Sequence, residues 1–395
     1  VTDLRRPGDP ASAPRPKKQE QEPASTDVVE VAPGVLRMQL PIWMPGLGHV
    51  NMYGLVDERG IAVVDPGLPG PSSWKALKQR LHDAGFRTKD VHTVIVTHSH
   101  PDHFGGAGRL AKEAGAELIT HAAFTTWLSY GKDRRPVSER EAIELERHAA
   151  AAAQALDLGV LGDDDHDRLA DPLRADEDDL DRNLGSVAWA DKTPWGGTKH
   201  PRPAFHKRMV MRAMRLLFTP PHPTRRVRHG DVLQLGGREW VAIHTPGHTL
   251  DHLCVYDPDS GILLSGDHVL PTITPHVSGV GNGADSLKSY IATLDLVARL
   301  DGISTGLPAH GHPFDDVPGR VDAIKRHHEE RMEQIRTVSH ALGPATVVAV
   351  SHEIFPQKHW GVMAESETFA HLEHLVLGGR AERWEEHGHL LYRVA

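Results

Sequence analysis

An α/β layered fold is the prediction for this chain. Strand-like runs rich in β-branched residues alternate with amphipathic helix-like segments, the pattern from which layered α/β domains are built. The 395 residues exceed one typical domain, and their 39% hydrophobic content is enough for a sizeable core. A dense histidine turn also closes the apolar run Val91, Val94, Ile95 and Val96, which reads as a buried strand.

The elements follow in order. Residues 1–26 are rich in Pro, Lys, Arg and Glu with no apolar block, so a disordered tail without a signal-peptide core is expected. Residues 28–40 and 52–64 read as strands. Ser72 can cap a helix that carries Trp74, Leu77 and Leu81 on one face and ends at Gly85. Residues 105–115 supply a short helix and 118–120 a strand. A hairpin is expected over 231–244, turning at Gly236 and Gly237, with further strands at 255–256 and 262–264. Residues 321–341, 346–355 and 365–377 read as helices, the third ended by Gly378 and Gly379, and a closing hairpin flanks Gly388.

Composition narrows the function. A net charge of -9 argues against a generally basic surface for nucleic acid or anionic membrane. No stretch approaches the roughly 18 apolar residues of a membrane span. The single cysteine, Cys254, rules out an intrachain disulfide, so a cytoplasmic location is expected. Flanked by apolar residues, Cys254 reads as a buried hydrophobe and not a nucleophile.

The segment Thr97-His98-Ser99-His100-Pro101-Asp102-His103 crowds three imidazoles and a carboxylate into one turn. His98 and His100 share a parity and can face one cation, whereas Asp102 and His103 lie beyond the Pro101 bend and can face another. Imidazole and carboxylate suit zinc, iron or manganese, and no thiolate is present to favour a structural zinc.

The His-x-His-x-Asp-His pattern resembles the signature of the metallo-β-lactamase superfamily, and further elements of that pattern recur in order. They are Asp65 after an apolar run, Thr245-Pro246-Gly247-His248-Thr249, Ser265-Gly266-Asp267-His268 and Leu307-Pro308-Ala309-His310-Gly311. The resemblance implies an αββα sandwich, two sheets back to back with helices outside and metals at one edge. It further implies that His98, His100 and His248 hold one divalent ion and Asp102, His103 and His310 a second, with Asp267 bridging. The expected pair is zinc, with iron or manganese as alternatives. Asp65 would be a support that orients the histidine turn, although a turn aspartate before Pro-Gly explains the same residues.

In such a site the expected reaction is hydrolysis of a small ester, thioester or lactone by a metal-bridged hydroxide, with Asp102 the candidate to return a proton to the leaving group. No nucleophile elbow for a serine or cysteine triad is visible. A metal-dependent endoribonuclease of the same fold is the alternative. A β-lactamase fits less well, because Asp267 matches a carboxylate that the β-lactamases lack. A di-iron oxidoreductase also fits less well, because His100 stands where those proteins carry a carboxylate.

About 145 residues separate Asp102 from His248, more than the sheets need, so an insert is expected over about 131–229 within a main domain of 27–316. Its first part is acidic and reads as a solvated loop. Its second part has a helical apolar stripe, Phe205, Met209, Val210, Ala213 and Leu216, beside Arg208, Arg212 and Arg215. One reading is a lid whose arginines hold an anionic part of the substrate. The others are a plain surface helix or dimer contact and a membrane-surface helix. Residues 317–395, helices and then a hairpin, resemble a winged-helix appendage found in the lactamase-β-2-like and glyoxalase II-like hydrolase branch. Its presumed recognition helix carries Glu365, Glu367 and Glu373 without Lys or Arg, so packing or homodimer contact is expected there and not nucleic acid.

Overall fold

The structure is a computed structural model and describes residues 18–42, 44, 46–126, 193–196 and 219–395. Seven strands form the first sheet in sequence order: β1 (Val28–Ala32), β2 (Val35–Pro41), β3 (His49–Asp57), β4 (Gly60–Val64), β5 (Val91–Ile95), β6 (Glu117–His121) and β7 (Arg225–Val227). Pairing is antiparallel from β1 to β4 and parallel from β4 to β7. Each of the two long strands expected over 28–40 and 52–64 is thus broken by a turn into part of a hairpin. Periodicity missed those turns because β-branched residues lie on both sides of them.

The second sheet has the order β12-β11-β10-β9-β8, from β8 (Val232–Leu235), β9 (Arg238–His244), β10 (Leu253–Asp257), β11 (Ile262–Gly266) and β12 (Thr305–Pro308). Alternation along the strands places the sheets back to back. Val64, Ile95 and Ile119 of the first sheet meet Trp240, Leu253, Val255 and Leu264 of the second in one buried layer. The opposite parity faces the helices. Val63 and Val94 pack with Trp74, Leu77 and Leu81 of α1 (Pro71–Asp83) and with Leu110, and Phe104 belongs to the same cluster. Here α2 is Pro101–Phe104 and α3 is Ala107–Ala114. Across the molecule, Cys254, Tyr256 and Leu263 pack with Tyr290 and Leu294 of α4 (Ser286–Ala298) and Val321 and Ile324 of α5 (Val317–Leu342). The result is an αββα sandwich.

Several expected boundaries shift. Gly70, not Ser72, precedes the first helix, and Pro71 opens it, since a missing N–H costs nothing in the first turn. The insert cannot run to residue 229, because β7 pairs in parallel with β6 and completes the first sheet. Residues 127–192 and 197–218, which include the apolar stripe with Arg208, Arg212 and Arg215, lie outside the described residues, as do residues 1–17.

The disordered tail expected through residue 26 does not hold for 18–26. Glu20 is fully buried and accepts from the backbone N–H of Thr272 (2.8 Å) and Ile273 (3.0 Å), and also from the Thr272 hydroxyl. The Glu22 carbonyl accepts from His49 Nδ1 at 2.8 Å, and Arg80 reaches the Ser25 carbonyl at 3.0 Å. Composition concealed this strap because its contacts are polar and lie more than 20 residues away in sequence.

Residues beyond α5 form a unit with its own core. A three-stranded sheet, β13 (Ala345–Thr346), β15 (His389–Val394) and β14 (Ala381–Glu386), packs with α6 (Val347–Ile354) and α7 (Val362–Leu377). Trp195, from the middle of the expected insert, is buried in that core and donates to Glu365 at 2.9 Å. Glu373 accepts from the Tyr392 hydroxyl at 2.5 Å and pairs with Arg383. The acidic face of α7 is consumed by internal contacts. Among the described residues no helix is long and apolar enough to cross a membrane.

Glu20→Ala should lower stability by about 2–4 kcal/mol, because each donor left buried without a partner costs about 1–3 kcal/mol. Thermal unfolding of the variant beside the parent checks this, and an unchanged midpoint would show that the strap contributes nothing.

Candidate metal centre

The site gathers at one edge of the sandwich from the C-terminal ends of five strands, β4, β5, β9, β11 and β12. After β5 the chain bends through Thr97, His98 and Ser99 instead of continuing the strand, returns to extended backbone at His100, and Pro101 then starts α2, in which Asp102 and His103 are both buried. Two turns require glycine. Gly266 has φ +51, and a Cβ there would lie 2.7 Å from His252 Nε2. Gly247 has φ +138, and a Cβ there would lie 2.6 Å from Tyr290 Cα, so only glycine lets His248 turn beneath α4.

All seven sequence-predicted ligands are brought together. His98, His100, His248 and Asp267 form one group and Asp102, His103 and His310 the other, with the ligand atoms of each group within 4.8 Å of one another. Asp267 faces both. Its Oδ2 lies 3.9 Å from His98 Nε2, 3.5 Å from His248 Nε2 and 3.5 Å from His103 Nε2, and its Oδ1 lies 3.4 Å from His310 Nε2. Asp102 Oδ2 stands 3.6 Å from His103 Nε2 and 3.5 Å from His310 Nε2.

The outward nitrogens are fixed from behind. His248 Nδ1 donates to the His276 carbonyl at 2.7 Å, His310 Nδ1 to the His49 carbonyl at 2.6 Å, and His103 Nδ1 to Asp65 Oδ2 at 2.9 Å. Each of these bonds leaves Nε2 directed at the centre, the arrangement that orients imidazole toward a metal. His103 Nε2, His310 Nε2 and Asp267 Oδ1 are buried without a hydrogen-bond partner. His100 Nδ1 lies 3.0 Å from both His98 Nε2 and His248 Nε2, so three ring nitrogens converge on one point. Orphaned, converging N and O donors fit divalent cations.

Electrostatics separates the two groups. Burial, reinforced by neighbouring imidazoles, lowers His98 well below its ordinary value and His100 to about 3, and burial also lowers His248 against the pull of Asp267. These rings are neutral and ready to ligate. Burial opposes charge at His310 and His103 too, but Asp267 and Asp102 outweigh it, pushing His310 up to about 10 and His103 well above its ordinary value. Burial likewise opposes ionisation of the carboxyls, yet His103 and His310 hold both Asp102 and Asp267 below the usual range. The second group therefore keeps protons where a cation would sit.

Asp65 is buried at φ 53, a left-handed conformation that an aspartate adopts at a cost, and it spends its carboxylate on three bonds. Thr97 N–H and Oγ1 donate at 2.8 Å each and His103 at 2.9 Å. A turn-forming role alone would not engage the histidine turn in this way.

Sequence reasoning missed the other braces. His252 is buried and neutral, and its Nε2 accepts the Asp267 N–H at 3.0 Å while its other nitrogen meets Thr245 Oγ1 at 2.7 Å. Asp251, whose carboxyl burial pushes up to about 6, accepts from Ser99 Oγ at 2.9 Å between the first two histidines. His49 Nε2 accepts the Gly311 N–H at 3.1 Å. The adjacency of Asp251 and His252 to the His248 element was the available signal. His49 carried none, because its contact is 262 residues distant. Cys254 is buried with its thiol pushed up to about 12 by burial, as suits a packed hydrophobe.

This fold and site define a metal-site protein of the αββα type. A family model described as the metallo-beta-lactamase superfamily matches residues 45–352, and the chain belongs to that superfamily. A metallo-beta-lactamase family protein from Thermus thermophilus is 26% identical with a TM-score of 0.65, covering 92% of this chain and 100% of that one. A beta-lactamase domain protein from Burkholderia ambifaria is 26% identical with a TM-score of 0.66, covering 95% of this chain and 96% of that one. The lactamase-like protein nscB of Aspergillus fumigatus is 34% identical over 115 residues, 28% of this chain and 32% of that protein. Matches to these curated relatives thus span about a third of their length.

Metal uptake near pH 7 should release protons, because His103 and His310 must surrender theirs to ligate. Affinity at that group should consequently fall as pH drops. Metal titration in weakly buffered solution reads the release directly, and no proton release would contradict the assignment. Asp65→Ala should weaken metal binding by about 10- to 100-fold without unfolding the chain, as read by competition with a chromophoric chelator.

Proposed function

We propose that the chain is a dinuclear metal-dependent hydrolase of a small ester, thioester or lactone. The observation that carries this reading is the Asp267 carboxylate, which reaches both donor groups: its Oδ2 lies 3.5 Å from both His248 Nε2 and His103 Nε2, and its Oδ1 lies 3.4 Å from His310 Nε2. His98, His100 and His248 would hold one divalent ion, Asp102, His103 and His310 the other, and Asp267 would lie between them; zinc suits the donors best, with iron or manganese as alternatives. Bound there, such a pair supplies water acidified to near neutrality and Lewis-acid polarisation of the substrate's carbonyl oxygen.

The chain's own residues supply placement and proton handling. The His276, His49 and Asp65 acceptors hold three imidazoles in one orientation, so little reorganisation is needed when substrate arrives. Asp102, kept ionised by His103 and His310, would accept a proton and return it to the leaving group. Arg208, Arg212 and Arg215, read as substrate contacts, lie outside the described residues.

The consumption of Glu365 and Glu373 by internal contacts favours a small substrate over nucleic acid, since the helix that would read a duplex is packed into the protein. Metal-loaded protein assayed against acyl thioesters, lactones, lactams, phosphodiesters and a structured RNA tests the proposal. Acyl substrates should be turned over, and His98→Ala and Asp267→Ala should lose metal and activity together. Turnover of RNA alone, or undiminished acyl hydrolysis with at most one ion per chain, would overturn it.

A further inference from the structure

Residues 276–285 run between the loop that carries His248 and α7 of the C-terminal unit, and they are fastened to both. On the metal side three bonds hold His248. The His276 carbonyl accepts from its Nδ1 at 2.7 Å, and Asn282 Nδ2 donates to the Gly247 carbonyl at 3.2 Å and to the carbonyl of His248 itself at 2.9 Å. Asn282 is buried, and two carbonyls can be met only by a donor, so the carboxamide must present its nitrogen to them. It thereby grips the peptide groups on both sides of the His248 Cα, while the His276 carbonyl fixes the ring. A longer contact from Nδ2 to the Ser278 carbonyl, 3.4 Å, closes the stretch on itself.

On the other side α7 supplies the fastening. Ser366 Oγ lies 2.9 Å from Ser278 Oγ, and the Ser366 carbonyl accepts from the Gly279 N–H at 3.4 Å. Glu367 lies 3.6 Å from His276 Nδ1, and His374 Nδ1 lies 3.0 Å from both carboxylate oxygens of Asp285, the residue that caps α4. Gly279 is pressed flat against the helix. A Cβ there would lie 2.6 Å from Phe369 Cδ1 and 2.8 Å from the Ala370 nitrogen, and Phe369 is itself backed by Trp195, with ring centroids 5.1 Å apart.

The hydrophobic contacts divide in the same way. Val277 is buried with Tyr290 of α4 in the core of the sandwich, whereas Val280, three residues on, packs into the core of the C-terminal unit. The stretch cannot follow one body without pulling on the other. Other imidazoles of the centre are backed from inside the sandwich: Thr97 Oγ1 lies 3.0 Å from His98 Nδ1, Asp65 accepts from His103, and the His49 carbonyl accepts from His310.

We propose that Asn282 is the positioning residue of His248 and that α7, acting through residues 276–285, sets where the group of His98, His100 and His248 presents its third nitrogen, while the group of Asp102, His103 and His310 is set without it. The inference rests on the reading of these donors as a two-metal centre. Backing of this kind governs ligand direction, so its loss appears as a changed coordination geometry and a weaker ion at one group.

Cobalt(II) added to the metal-free full chain makes the test, because its visible d–d absorption reports coordination geometry and chelator competition gives the affinity of each ion. Asn282→Asp keeps the side-chain shape but turns an acceptor toward the two carbonyls, and Gly279→Ala drives a methyl group between the stretch and α7. Each should weaken one of the two ions by about 10- to 100-fold and shift its spectrum, leaving the other ion in place. Ser366→Ala, which removes only the hydroxyl contact to Ser278, should act in the same direction by a smaller factor and serves where Gly279→Ala does not fold. Unchanged spectrum and affinities in Asn282→Asp would overturn the positioning role. A response to Asn282→Asp with none to Gly279→Ala or Ser366→Ala would overturn the part given to α7. Equal weakening of both ions, with a lowered unfolding midpoint of the metal-free chain, would mark a general loss of packing and also defeat the proposal. A parent chain that takes up a single cobalt ion would count against the two-metal reading instead; a shift of that ion's spectrum in Asn282→Asp would still support the positioning of His248, and no shift would end it.

Discussion

Two buried carboxylates among five imidazoles set the constraint on which the rest of the structure depends. Asp102 and Asp267 are both almost fully enclosed, and a buried carboxylate is tolerated only where opposite charge and hydrogen-bond donors surround it. His103 and His310 meet that requirement by holding protons, and a divalent cation meets it better. Because the donors leave β5, β9, β11 and β12 in two different sheets, the site exists only while the sheets stay in register. Sheet packing and site geometry are therefore one problem.

The surrounding layers address that problem from several sides. Asp65 ties the histidine turn to β4, and His252 ties Asp267 to the Thr245 element. The strap at residues 18–26 reaches the His310 loop through His49 and through His312, whose ring lies 2.8 Å from Glu22. Behind His248, the His276 carbonyl sits on a segment that also touches Glu367 of α7. The C-terminal unit is thus more than an appendage, since one of its helices abuts the segment that orients a ligand. Trp195 of the expected insert is buried in the same unit.

Local chemistry was legible before any tertiary information. The apolar run of Val91, Val94, Ile95 and Val96 located β5, the Gly236-Gly237 turn located the hairpin of β8 and β9, and the amphipathic face of Trp74, Leu77 and Leu81 located α1, because burial on one side imposes a period on the chain. The ordered His and Asp elements named all seven donors. The hairpin turns inside 28–40 and 52–64 were not legible, since turns flanked by apolar strands scarcely interrupt the periodicity. The strap was not legible either, because its stabilising contacts are hydrogen bonds that Glu20 accepts from distant backbone N–H groups and Glu22 accepts from the distant His49 and His312 rings.

By itself the sequence determined the layered class and, through short motifs each local in the chain, the candidate donor residues that the family resemblance names. Tertiary structure alone decided which imidazoles burial keeps neutral and which the carboxylates hold protonated, and which of them a backbone carbonyl orients. It also decided that Glu365 and Glu373 are spent internally. Burial and charge pairing are properties of distances between residues such as Asp267 and His310 or His49 and Gly311, and only folding sets those distances.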